Sequence, residues 1–262
     1  MQVQSKEYQE HKIFDKLSSY IEFYGYFSDL IMSFITMGAT GVINIDTYTY
    51  SSMKGTLQSM KMLLQMGHIN DAYSLMRKFY DAAYINVYTI LYLDDNFSFD
   101  NLVVKQIQNW LHGTETLPSF RSISDYIRKH QKLEELNSLL YTDNRYTNLR
   151  ERCNDNTHYN FYKNILLNDA KIFNKDRKKA LEDFSNDITD LVIMHLSYVF
   201  FLNQHYLSSS DFRDYFDIGE TPPKNSQLWV APFIQDIFDN LFKVQRSDIA
   251  NLIKSNTDMH LK

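Results

Sequence analysis

Ala82-Ala83-Tyr84-Ile85-Asn86-Val87-Tyr88-Thr89-Ile90-Leu91-Tyr92-Leu93 is apolar nearly all the way round a helix. A helix of that kind needs neighbours on every side, so it belongs at the centre of a bundle. The residues just before it are amphipathic. Ser74, Arg77, Lys78 and Asp81 share one face, and Ala72, Leu75, Met76 and Phe79 share the other. Asn70 or Asp71 is expected to cap this helix, and Asp94-Asp95-Asn96 to end it. Upstream, Met53, Leu57, Met60, Leu63 and Leu64 repeat at helical spacing, and Gly67 is placed to terminate that helix. Further upstream, a stripe from Ile13 through Leu17, Tyr24 and Phe27 to Phe34 predicts one long helix, or two in series, over 5–36. Residues 38–46, with Gly38 and Gly41, read as a loop or one isolated strand.

Downstream, the pattern predicts helices over 99–112, 122–140, 142–167 and 176–206. The 208–226 stretch holds three consecutive serines and Gly219-Glu220-Thr221-Pro222-Pro223, a strong helix stop. Two more helices are expected at 228–244, interrupted by Pro232, and 248–253. The fold expected is all-α: a multi-helix bundle over 1–207, a linker at 208–225, and a helical segment over 226–262 docked on the bundle.

Composition agrees with that class. The 262 residues include only 7 Gly and 4 Pro, which disfavours a many-stranded sandwich or barrel. Hydrophobic residues make up 44% of the chain, enough for a sizeable core and against wholesale disorder. Cys153 is the single cysteine, so neither an intramolecular disulfide framework nor a multi-cysteine zinc site is available. The longest apolar stretch, 191–202, falls well short of the roughly 20 residues a bilayer requires. No apolar run precedes Ile13. The expectation is a cytoplasmic protein that does not enter a membrane.

Several chemistries lack their residues. There is no GxGxxG, no GxxxxGK[ST], no HExxH and no GxSxG, and the 9 Glu form no Glu-x-x-His pairs of the di-iron type. No metal or other cofactor is expected. Net charge is −5, yet between Arg145 and Lys179 nine basic residues stand against four acidic ones. A basic island on an acidic chain fits a polyanion; it also fits a solvated helix end.

Within that island lies Leu149-Arg150-Glu151-Arg152-Cys153-Asn154-Asp155-Asn156-Thr157-His158-Tyr159-Asn160. Histidine titrates near neutrality and can take a proton, while arginine offers a rigid fork of donors for a phosphate. Asn154 precedes His158 by one helical turn. Six steps along a helix leave Arg152 and His158 roughly 120° apart, flanking a face.

Arg152 with five residues before His158 resembles the Arg-x(4–6)-His motif of the HEPN superfamily. Cys153 stands where that family often has a polar residue. The resemblance covers about 50–205. It implies a metal-independent endoribonuclease of toxin or phage-defence type, in which the RNA 2′-OH attacks the adjacent phosphate. It further implies that Arg152, His158 and Asn154 are catalytic and that the protein is a homodimer. Arg150, Lys163 and Arg145 are the expected RNA contacts. The alternative is a non-enzymatic helical binding or regulatory protein. There, His158 is hydrogen-bonded at a helix seam and Arg152 pairs with Asp155.

Three side features complete the reading. Arg77 and Asp81 form an i, i+4 pair, either a solvated pair or one wall of a cleft. His195, in the most apolar stretch, reads as a satisfied core histidine, and Cys153 as a small packing residue. Trp229 and Phe233, four apart, either dock back on the bundle or anchor a protein partner on one helix face.

Overall fold

The computed structural model describes residues 1–32, 39–223 and 229–262. All its regular elements are helical, and among the described residues β pairing is confined to the isolated bridges Ser98–Asn101 and Ser208–Val230. No helix among them is long and apolar enough to cross a membrane. Phe34, Gly38 and Ser226 to Leu228 lie outside the described residues.

The main helices follow the hydrophobic periods. They are Ile13–Leu30, Ile45–Met66, Ile69–Asn96, Arg145–Thr157 and Arg177–Leu202. The possible strand before Ile45 is a 3₁₀ turn, Val42–Asn44, that runs straight into a helix. Residues expected as one helix over 122–140 divide at His130 into Phe120–Lys129, the 3₁₀ turn Gln131–Leu133 and Glu134–Leu140. His130 is extended, with ψ 125°, which breaks the helical run. Gly67 ends its helix as expected. With φ at +88° it lets its own N–H reach Leu64 O and the His68 N–H reach Leu63 O. That is the two-bond helix stop a left-handed residue permits.

The chain divides into two compact units, each assembled from separated segments rather than split at 208–225. The first holds Met1–Ser28, Ile45–Ile85 and Asp143–Val192. Its core includes Leu17, Tyr24, Met60, Phe79 and Phe184, with Tyr24 set edge-on to Phe79 and Tyr73 edge-on to Phe184. Arg177 is fully buried there. It donates to the carbonyls of Met1, Ile172 and Asp169.

Asn168 caps the Ile69–Asn96 helix from across this unit, accepting from the N–H groups of Asn70 and Asp71. Asn70, one of the two residues expected to cap it, turns its own amide onto Asn156.

The second unit holds Asp29–Asn44, Asn86–Thr142 and Ile193–Lys262. Leu91, Ile127, Leu136, Phe200, Phe238 and Phe242 build its core. The C-terminal helices belong here: Ser247–Asn256 packs on Glu134–Leu140, and Arg246 donates to Leu139 O. The stretch read as a linker contains a helix of its own, Ser210–Asp217. Trp229 precedes the helix Pro232–Ile237, so it does not share a helix face with Phe233. Its ring instead lies between Phe212 and His260, with centroids at 4.8 and 4.2 Å. The stretches 82–93 and 191–202 are densely buried, as their sequence demands. His195 is fully buried, with Nε2 2.8 Å from the Asn86 side-chain oxygen.

Candidate functional site

The helix Arg145–Thr157 ends a full ten residues before the position expected from its sequence. Tyr159 adopts φ +50°, the left-handed conformation. The Asn160 N–H then closes onto Asp155 O and the Tyr159 N–H onto Asn156 O. This is the stop seen at Gly67, here made by a tyrosine. His158 is therefore the last residue of the turn, exposed, and its N–H bonds to Asn154 O.

Tyr146, Leu149, Cys153 and Asn156 form the buried face of this helix. The expected site residues fall on its two flanks. Arg152 is on one. It does not pair with Asp155; it grips Asp187, with Nε 2.8 Å from Oδ2 and Nη2 on Oδ1. Asp187 is buried and also accepts from the Tyr73 hydroxyl at 3.3 Å. Burial raises the Asp187 carboxyl above its usual range, against the opposing pull of Arg152.

Arg150, Asn154 and His158, at successive four-residue steps, lie on the other flank. This flank faces the Ile69–Asn96 helix. The Thr157 hydroxyl meets that of Ser74 at 3.2 Å. One and two turns further on, Arg77 pairs with Asp81 at 3.1 Å, and both act on Arg150. Burial followed by the like charge of Arg77 pushes Arg150 below the usual arginine range, while Tyr80 and Asp81 oppose the fall. Burial raises Asp81, with Arg77 and Arg150 opposing. Arg77 is thus paired with Asp81, and Arg150 feels both charges, on the flank that ends in His158. The Arg77–Asp81 pair is partly solvated, its side chains 18% and 37% exposed.

Arg145 is held between Asp143 and Asp190, at 2.8 and 3.0 Å. Lys163 lies beyond the end of this helix, its ammonium 5.4 Å from the centre of the Phe161 ring. Arg152 and Lys163 share a cleft of about 370 Å³ with Tyr73, Asp155, Phe161 and Lys179. His158, Asn154, Arg150 and Arg145 do not line it. Much of the basic island is internally satisfied. Besides Arg145, Arg152 and Arg177, Lys178 pairs with Glu7 and Lys179 with Asp183. Lys163, Lys171 and Lys175 are exposed and carry no ion pair among the described residues.

Cys153 is buried among these groups. Burial first, then the charge of Asp187, pushes its thiol up to about 12.

No family model matches the chain, and no curated protein or solved structure matches it either.

Proposed function

We propose that the protein is a metal-independent endoribonuclease whose site lies on the Arg150–Asn154–His158 flank, with Arg77 as a second cation. One observation carries this reading: Arg77, paired with Asp81, and Arg150, which feels both charges, lie on the flank whose last residue is the exposed His158. Guanidiniums along this flank suit a phosphate passing along the strip. His158, as neutral imidazole, takes the proton of the ribose 2′-OH. The 2′-oxygen then attacks phosphorus, and the 5′-oxygen leaves with a proton from water. The products are a 2′,3′-cyclic phosphate and a 5′-hydroxyl. Arg150 and Arg77 balance the charge that grows on the phosphate oxygens, and Asn154 orients the imidazole or the phosphate. Arg152 has no chemical role here; it positions the helix through Asp187. The HEPN resemblance adds a homodimer to this reading, with two copies of the strip meeting across a two-fold axis.

The test is RNA incubated in EDTA with the unmodified chain, His158→Ala, Arg150→Ala and Arg152→Lys. His158→Ala and Arg150→Ala should each slow cleavage about 10²-fold or more, the size of a lost general base or charge-stabilising donor. Arg152→Lys should cut normally wherever it is folded. Equal cleavage by the unmodified chain and His158→Ala, or none by either, overturns the proposal.

A second reading, a non-enzymatic helical binding protein, draws on the commitment of Arg152 to Asp187. RNA binding without cleavage by the unmodified chain would favour it.

A further inference from the structure

The chain after the helix Ser247–Asn256 is not helical, yet it is held. At Thr257 the backbone turns extended, with φ −125° and ψ 141°. From there burial alternates. Met259 and Leu261 are 9% and 6% exposed, while Asp258, His260 and Lys262 face solvent. The Leu261 N–H bonds to Met259 O at 2.9 Å, a tight bend centred on His260.

The residues that receive this segment lie in the same compact unit, and they read it in two ways. Two glutamine side chains take its backbone. Gln204 Oε1 accepts from the Asp258 N–H at 2.8 Å, and Gln235 Oε1 accepts from the Lys262 N–H at 3.1 Å. Between those two grips Met259 and Leu261 are buried, and the His260 ring lies 4.2 Å from that of Trp229. Main-chain bonds combined with apolar side chains seated at alternate positions are how folded domains bind peptides. A glutamine reads any peptide backbone, so sequence preference falls to the two apolar seats.

The hold is also one that opens. Among the described residues, no backbone–backbone hydrogen bond joins 257–262 to another element. Release therefore breaks no helix and no ladder. It exchanges two glutamine bonds for water and exposes two side chains, and six residues regain their conformational freedom. The Thr257 hydroxyl, buried without a hydrogen-bond partner among the described residues, gains water on release. Segments held this way open locally well before the whole protein unfolds.

We infer that the surface around Gln204, Trp229 and Gln235 is a peptide-binding site that the chain's own 257–262 segment fills, so that a partner peptide binds by displacing it. The partner is a short peptide with apolar residues on either side of one exposed residue, the Met-His-Leu pattern of 259–261. Trp229 faces the middle residue. No residue of this site belongs to the strip that ends in His158, and the site does not rest on the ribonuclease reading.

The test uses a fluorescein-labelled peptide with the sequence of 257–262, capped at its far end. In the full chain, Met259→Ser with Leu261→Ser empties both seats and leaves the backbone in place. That variant should bind the peptide, and the peptide should raise its melting temperature. The unmodified chain should bind about 10-fold more weakly or worse, because its own segment competes at high effective concentration. A peptide with serine at both anchor positions should lose about 10-fold or more in affinity. Adding Gln235→Ala to the variant should weaken binding about 2- to 10-fold. Amide hydrogen exchange of the unmodified chain gives a readout that does not need the variant to fold. The amides of Asp258 and Lys262 should exchange at least about 100-fold faster than those of 191–202. No binding by a folded variant, equal binding by variant and unmodified chain, equal binding of the serine peptide, or equal exchange protection overturns the inference. A dimer of the unmodified chain that the variant loses would assign the site to a second copy's segment and overturn the partner peptide.

Discussion

Arg152 and Asp187 are joined by two parallel hydrogen bonds across 35 residues of sequence, Nε to Oδ2 and Nη2 to Oδ1. The pair ties the Arg145–Thr157 helix to the Arg177–Leu202 helix inside one unit. The Asp187 side chain is only 3% exposed, while that of Arg152 is 41% exposed. Asp187 is the partner that cannot return to water. Arg152→Ala leaves it with the Tyr73 hydroxyl alone. Breaking a buried pair costs about 3–5 kcal/mol, and the exposure of Arg152 lowers that to about 2–3 kcal/mol. Urea unfolding should show the loss as a lower midpoint at unchanged slope. Arg152→Ala combined with Asp187→Leu should recover part of it, because no charge is then stranded. A midpoint unchanged in Arg152→Ala would mean the pair contributes nothing.

Gly67 makes a different kind of demand. Its φ of +88° is costly for any residue with a Cβ, by about 1–2 kcal/mol. A Cβ there would also lie 2.5 Å from Val3 Cγ2 and 3.3 Å from Ala170 Cβ. Gly67→Ala should therefore destabilise by about 2 kcal/mol or more. Adding Val3→Ala to Gly67→Ala should relieve the overlap but not the backbone strain. The thermal midpoints of the two single variants and the double variant would separate the two contributions.

Gly67 was legible in the sequence because its cause is local: one glycine follows one amphipathic run. The all-helical class and the dense burial of 82–93 were legible for the same reason, since hydrophobic period needs no knowledge of partners. His195 could be read as a core histidine from its apolar neighbours. Residues that act at a distance could not. Asn168 caps a helix whose first residues lie nearly a hundred positions earlier, and nothing in its own surroundings marks it for that. From sequence Arg152 could be paired only with an acid of its own helix such as Asp155, while its partner, Asp187, lies on another helix. The end of the 145–157 helix was missed because a tyrosine, Tyr159, adopts the conformation that glycine signals elsewhere. The site split followed from geometry already available. A rotation of roughly 120° between Arg152 and His158 puts them on different flanks once one face is buried. Which flank carried the second arginine, Arg77, needed the packed helices.

Cys153 adjoins Arg152 in sequence, and a neighbouring arginine can activate a thiol. Here burial dominates and Asp187 adds to it, so the thiol stays protonated. The folded protein should resist maleimide or Ellman's reagent at pH 8 for as long as it remains native. In urea above the unfolding midpoint, one thiol per chain should react at the rate of a free cysteine. Rapid labelling of the native protein would contradict the burial of this side chain. Arg152→Ala should not speed the reaction beyond the increase that its lower stability allows, because the arginine is not what sets the thiol's reactivity.

His195 makes stability depend on pH in a predictable direction. Its ring is fully buried, accompanied by Asn86, and burial lowers its pKa to about 3. The native state thus holds it neutral, whereas the unfolded chain takes up a proton near pH 6.5. Between these values the unfolded state binds more protons, so stability falls as pH falls. The contribution is complete above about pH 6.5 and lost progressively toward pH 3. At pH 5 this one group should cost about 2 kcal/mol relative to pH 7.5. Carboxylates also titrate in that range, so the comparison must be made by difference. His195→Gln keeps a polar group opposite Asn86 but cannot take up a proton. It should be less stable at pH 7.5 through imperfect packing, yet lose about 2 kcal/mol less than the unmodified chain on going to pH 5. Parallel stability curves for the two proteins from pH 7.5 to 5 would show that His195 is neither as buried nor as neutral as its surroundings require.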